Sequence, residues 1–322
     1  MRYFCMIRPR RRLQSRNFFP AALVASVCLV LIASAASAAP SSGFAPVRTG
    51  YALVDGLRMY YEVYGTDGTS VAGGVGTPLV LLHGGFGAIE MYAPILSALA
   101  ANRRVIAADL QGHGRTADID RPLSYESMAD DVAGLIRFLG YVRSDVMGYS
   151  LGGEVALQTA IRHPEVVRKL VLVSTAFRQD GWYPEILAAE AQMGPAAAEP
   201  MKQTPMYQLY ARIAPRPQDW PVLVTKMGDL LRKSYDWTAG AAALKMPLLI
   251  VGGDADAVRT AHTLEFFGLF GGGKRDAGWD GSRRPSAELA ILPATTHYSI
   301  FMSPALPSAV VPFLDAPMPP AK

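Results

Sequence analysis

From about residue 78 onward, short unbroken apolar runs alternate with stretches that repeat apolar residues at helical spacing. The runs are Pro78-Leu79-Val80-Leu81-Leu82, Val105-Ile106-Ala107-Ala108, Asp145-Val146-Met147, Leu170-Val171-Leu172-Val173, Leu248-Leu249-Ile250-Val251 and Leu289-Ala290-Ile291-Leu292. A strand with one wet face alternates apolar and polar residues, whereas one covered on both faces does not, so these runs predict parallel strands between helical layers. Between two of them, Met128, Val132, Leu135, Ile136 and Leu139 share a helical face, and Gly140 supplies a stop. Earlier in the chain, Tyr51–Val54 and Leu57–Tyr64 flank Asp55-Gly56, a pair that suits the tight turn of a hairpin. The pattern predicts an α/β fold: a doubly wound, mostly parallel sheet that opens with an antiparallel hairpin.

Two stretches interrupt the alternation. From about 178 to 245 the chain is rich in Ala, Met, Pro, Trp and Tyr and reads as helices, one with Pro221 in its first turn and Leu223, Met227, Leu230 and Leu231 on one face. That is too long for a loop between two strands, and a helical lid is expected. Gly271 to Pro285 is turn-rich and reads as a hairpin or loop, and Gly65 to Gly76 as a surface connector.

Composition narrows the function classes. Half of the 322 residues are apolar and 18% are charged, an ordinary globular balance. The formal net charge of +4 is not spread evenly. Residues 1–38 hold Arg2, Arg8, Arg10, Arg11, Arg12 and Arg16 and no acid, which leaves 25 basic against 27 acidic residues beyond them. A nucleic-acid partner is therefore not expected. An Arg-rich start, an apolar run near Ala21–Ala33 and the small-residue stretch Ala36-Ser37-Ala38 predict a secretory signal over 1–38, cleaved before Ala39. An uncleaved anchor over Phe18–Ala39 is the competing reading. With cleavage, the chain from 39 to 322 forms one exported domain with no stable membrane span. Both cysteines, Cys5 and Cys28, fall in the leader, which removes disulfides, thiolate catalysis and cysteine metal ligands from the mature protein.

The chemistry centres on Gly148-Tyr149-Ser150-Leu151-Gly152, placed between a short strand and a helix. Glycines two residues either side of Ser150 permit a sharp turn that exposes its hydroxyl, and the helix behind it offers free N–H groups. A serine hydroxyl needs a base, and the base needs an orienting acid. Of five histidines, His297 follows the last apolar strand, where a loop overhangs the sheet's C-terminal edge. His83 is fixed in a turn and reads as structural. His113, His163 and His262 read as solvent-exposed. Asp254 and Asp256 both follow the strand Leu248–Val251. Asp256 lies farther into the loop and can reach His297, while Asp254 can bond the turn. Oxyanion stabilisation needs two amides: that of Leu151, and one from His83-Gly84-Gly85-Phe86-Gly87, either Gly85 or Phe86. No clustered ligand set points to a metal, and no cofactor is expected.

These residues resemble the α/β-hydrolase superfamily, in particular its lid-bearing branch of serine esterases, lactonases and cofactor-free haloperoxidases. The likeness runs from about Tyr51 to Phe313 and rests on His83–Gly87, Asp109-Leu110-Gln111-Gly112-His113-Gly114-Arg115-Thr116, Gly148–Gly153 and Gly253–Asp256 in that order. The resemblance implies that the acid is the third residue after the glycine, Asp256, and that the Asp109–Thr116 segment shapes a loop. Family members often carry histidine before the nucleophile, so Tyr149 is a departure expected to alter the pocket wall. The implied activity is hydrolysis of a small carboxylic ester or lactone by Ser150, Asp256 and His297. Perhydrolysis with halide oxidation, carbon–carbon bond hydrolysis and a non-catalytic binding protein are the rivals. Aspartate-nucleophile relatives are disfavoured by Ser150. Met91, Tyr149, Trp182 and Tyr183 are the candidate substrate contacts.

Overall fold

The computed structural model describes residues 44–66 and 77–319. The leader with its cleavage site, both cysteines and most of the Gly65–Gly76 connector lie outside the described residues. The strands are β1 (Arg48–Val54), β2 (Leu57–Tyr64), β3 (Leu79–Leu82), β4 (Val105–Ala108), β5 (Ser144–Tyr149), β6 (Val167–Val173), β7 (Leu248–Ala255) and β8 (Ala287–Thr296). They form one sheet in the order β1–β2–β4–β3–β5–β6–β7–β8. The β1–β2 and β2–β4 pairs are antiparallel and the others parallel. Asp55 and Gly56 join the hairpin at φ 45° and 80°, the two left-handed positions its tight turn demands.

The unbroken apolar runs have a simple cause. Successive side chains leave a strand on opposite faces. In β3, Val80 and Leu82 enter one core and Leu79 and Leu81 the other; β4, β6 and β7 split the same way. The first core is closed by α2 (Tyr125–Phe138) and α3 (Leu151–Arg162). The second is closed by α1 (Ala93–Leu99) and α10 (Ala305–Asp315). The side chain of Ser124 caps α2 by accepting from the Ser127 amide at 3.0 Å, and Gly140 at φ 82° follows its end. Lys169 of β6, itself 1% exposed, donates to the carbonyls of Phe313 (2.7 Å), Leu314 (3.1 Å) and Ala316 (2.5 Å), which satisfies the open C-terminus of α10.

Between β6 and β7 stand α4 (Pro184–Ala191), α5 (Ala198–Met201), α6 (Pro205–Ile213), α7 (Trp220–Leu231) and α8 (Thr238–Ala242); α9 (Thr260–Leu269) follows β7. In α7, Leu223, Val224, Met227 and Leu230 are buried. Lys226 on its wetter side bonds Asp118 Oδ2 (2.6 Å) and the carbonyls of Ile119 and Arg121 (both 2.8 Å), tying the insertion to the segment after β4. The Gly271–Pro285 stretch forms a loop with three turns and no strand. Among the described residues, no helix is long and apolar enough to cross a membrane.

Candidate active site

Chain topology places the site. From β3 the sheet grows one way to β4 and the other way to β5. A crevice opens at such a reversal, at the carboxyl ends of the strands. The turn after β3 and the turn after β5 meet there: a side chain begun at Gly84 would touch the Tyr149 ring and lie 3.5 Å from Ser150 Cβ. Ser150 links β5 to α3 at φ 53° and ψ −124°, a left-handed conformation that a non-glycine residue adopts only under constraint. Glycine is required on either side. Side chains at Gly148 would run into the backbone of Gly152, and at Gly152 into the carbonyls of Leu82 and His83. The Ser150 amide bonds Val173 O at 3.0 Å, anchoring the turn to β6.

Three distant residues converge on this turn. His297 Nε2 lies 3.1 Å from Ser150 Oγ, and His297 Nδ1 lies 2.8 Å from Asp256 Oδ1. An ionised carboxylate only accepts, so Nδ1 carries the proton and Nε2 is left to accept from the serine. The Asp256 side chain is 2% exposed. Burial pushes its pKa up, but the His297 hydrogen bond and charge, the Gly253 amide (3.0 Å) and the Ser174 hydroxyl (2.5 Å) bring it below the ordinary carboxylate value. Asp254 instead accepts from the amides of Ala294 (2.9 Å) and Thr295 (3.1 Å), fixing the segment that leads into His297.

The imidazole is held on further sides by aromatic rings. Tyr149 is 4% exposed; its ring lies 5.1 Å from that of His297 and its hydroxyl donates to His297 O at 2.7 Å. It therefore braces the histidine from within the core, which corrects the expectation that it shapes the pocket wall. The Trp182 and His297 rings meet nearly perpendicular, at 74°, with centroids 5.3 Å apart. Tyr183 is 38% exposed, and the Met91 sulfur packs on Gly87. No hydrogen bond or ring contact joins Tyr183 or Met91 to Ser150 or His297.

The two amide-bearing turns face each other. Leu151 opens α3, where helix geometry leaves the first N–H groups without partners inside the helix. A side chain begun at Gly85 would lie 3.9 Å from Leu151 Cβ and 3.1 Å from Met227 Cε. Phe86 follows at φ 57° with its ring buried against Trp220. The turn at Gly85 and the start of α3 at Leu151 thus lie close together, which keeps their amides as the candidates to receive negative charge developing on a carbonyl oxygen.

Two histidine expectations fail. His113 and His262 are 0% and 1% exposed. His113 lies against His83, ring centroids 5.2 Å apart, and its Nδ1 bonds Gln111 O at 2.9 Å. His262 stacks on Phe177 at 4.3 Å. Burial lowers their pKa values to about 3 and about 4, so both are neutral packing residues. His83 is likewise carried down to about 4 by burial, and its Nε2 accepts from the Leu110 amide at 3.0 Å. His163 is half-buried and bonds Asp130 at 2.7 Å. Among the described residues, no cluster of His, Cys, Asp and Glu could hold a metal ion.

Sequence reasoning missed Ser174. Ser174 at φ 51° directly follows β6 and donates to Asp256. Its place at a strand's C-terminal end was the available signal.

Comparison with known proteins agrees with this architecture. A family profile described as the alpha/beta hydrolase fold matches residues 77–194. The chain is 32% identical over 235 residues to the dihydrolipoyllysine-residue acetyltransferase component of an acetoin cleaving system from Pseudomonas putida, covering 69% of this chain and 59% of that protein. It is 41% identical over 113 residues to a pimeloyl-acyl-carrier-protein methyl ester esterase of Neisseria meningitidis, covering 34% of this chain and 42% of the relative. The chain thus spans about half the length of the curated relatives it matches. The crystal structure of an enol-lactonase from Burkholderia xenovorans superposes with a TM-score of 0.61 at 23% identity, over 83% of this chain and 100% of that one, a likeness of fold.

Proposed function

The chain belongs to the α/β-hydrolase superfamily, and on that premise we propose that it is a serine hydrolase cleaving a small carboxylic ester or lactone. The observation that carries the reading is the hydrogen-bonded run from Ser150 Oγ to His297 Nε2 (3.1 Å) and from Nδ1 to Asp256 (2.8 Å), set at a strained strand-to-helix turn. His297 takes the Ser150 proton as Oγ attacks the carbonyl carbon, and Asp256 stabilises the imidazolium that forms. The Leu151 amide and that of Gly85 or Phe86 receive the oxyanion. The imidazolium then protonates the departing alkoxide and leaves an acyl-enzyme. Water, deprotonated by His297, releases the acid and restores Ser150. The helices between β6 and β7 act as a lid on this rim; Trp182 against His297 and Met227 over Gly85 support that role.

The test is hydrolysis of p-nitrophenyl esters. Ser150→Ala should lower kcat by several orders of magnitude, as expected where residues act as a unit. Full turnover by that variant would end the reading. In the unsubstituted protein, peroxide-dependent bromination without ester cleavage would favour the perhydrolase alternative, which uses the same three residues. Export through a cleaved leader belongs to the same proposal, and N-terminal sequencing of the exported protein should begin near Ala39.

A further inference from the structure

One buried acid at this site has no part in the reaction just described. Glu154 lies four residues after Ser150 on α3 and is 2% exposed. Tyr235 Oη donates to Glu154 Oε1 at 2.6 Å, and Trp182 Nε1 donates to Tyr235 Oη at 3.0 Å. The Trp182 ring in turn packs nearly perpendicular to His297. A hydrogen bond at the indole nitrogen fixes the rotation of the ring, and the ring packed against His297 limits where the imidazole can sit. The chain of contacts therefore starts on the helix that begins at Ser150 and ends on the residue that must receive the Ser150 proton. Nucleophile and base are referenced to one helix by two independent routes, the second passing through the insertion.

We propose that Glu154, Tyr235 and Trp182 are positioning residues that hold His297 in line with Ser150, and that they do so with Glu154 uncharged. The assignment rests on the reading of His297 as the base. The titratable groups facing Glu154 are Tyr235, Tyr125 of α2 and Glu190 of α4, two phenols and a second acid. Burial raises Glu154 to about 8, with Glu190 adding to the rise, and burial raises Glu190 itself to about 7. Ionisation of Glu154 puts an unpaired charge into an aromatic cluster in which Tyr235 and Trp237 stack at 4.2 Å and Tyr125 abuts Trp237 at 5.1 Å. An unpaired buried charge draws in water or swings outward. Either response pulls Tyr235 away from Trp182 and frees the ring that confines His297.

The test follows kcat and KM for p-nitrophenyl acetate across pH in four proteins. Tyr235→Phe should lower kcat about tenfold with KM within about twofold, the scale seen when an outer partner that orients a reacting group is lost. Glu154→Gln keeps an uncharged side chain of the same shape, so it should hold kcat near neutrality and abolish the fall in kcat as pH rises through about 8. Glu190→Gln should keep an alkaline limb but move it to lower pH, because the acid that helps raise Glu154 is gone. If Tyr235→Phe does not fold, Trp182→Phe, which lacks the indole N–H, takes its place with the same expected loss. Wild-type kcat in the phenylalanine variant, or an unchanged alkaline limb in Glu154→Gln, overturns the positioning role. Ester turnover that survives Ser150→Ala overturns the underlying reading as well, so the two failures are distinct.

Discussion

Replacing Asp256 by asparagine tests whether the carboxylate works by charge and orientation together. Every partner of Asp256 is a donor: His297 Nδ1 (2.8 Å) and the Val258 amide (3.2 Å) on Oδ1, the Gly253 amide (3.0 Å) and the Ser174 hydroxyl (2.5 Å) on Oδ2. An asparagine must turn its NH2 to one side. Facing Gly253, it sets donor against a fixed backbone donor, and only Ser174 can rotate to accept. Facing His297, it meets the Val258 amide and forces the proton onto Nε2, where it blocks acceptance from Ser150. A buried donor left without an acceptor costs about 1–3 kcal/mol, so the variant should melt at lower temperature while remaining folded. Its larger effect is on chemistry. Loss of the anion and of the correct tautomer in serine–histidine–aspartate sites lowers kcat about 10⁴-fold, or about 5.5 kcal/mol at 1.36 kcal/mol per factor of ten. Steady-state hydrolysis of p-nitrophenyl acetate, with circular dichroism as the check on folding, measures it. A folded variant within tenfold of wild-type kcat would refute the reasoning.

Other consequences are open to measurement. Asp254→Ala removes the acceptor for the Ala294 and Thr295 amides; kcat should fall about tenfold, as for a loosened outer support, with the melting temperature little changed. Lys169→Met leaves the carbonyls of Phe313, Leu314 and Ala316 without their donor, and urea unfolding should show a loss of about 1–3 kcal/mol with activity intact below the transition. Glu154 binds its proton more tightly in the folded than in the unfolded chain. Its contribution to stability is therefore full below the unfolded value near 4.5 and disappears as pH rises through about 8. The urea midpoint of the wild type should fall across that window, and Glu154→Gln should flatten the slope.

The sheet was readable from the chain because each parallel strand feeds two cores. Val105–Ala108 is apolar at every position since alternate residues enter opposite layers, and its run coincides with β4. The hairpin was readable because Asp55-Gly56 satisfies a backbone requirement that few pairs meet. What escaped was set by contacts between remote segments. His262 sits on a helix, which says nothing of Phe177 stacking on it from 85 residues away. His113 lies between two glycines and reads as solvent-exposed, yet it is buried against His83. Tyr149 adjoins the nucleophile in sequence, but its hydroxyl reaches His297 across 148 positions, and no local pattern encodes that bond. The candidate site residues were legible where strand ends announce the sheet's rim, and illegible where a role depends on the neighbour.

Mass spectrometry of the folded protein after reaction with a fluorophosphonate, followed by peptide mapping, addresses the central claim most directly. The account predicts one adduct, on Ser150, formed rapidly in the wild type and lost in His297→Ala. No adduct, or one on a different serine, would contradict it.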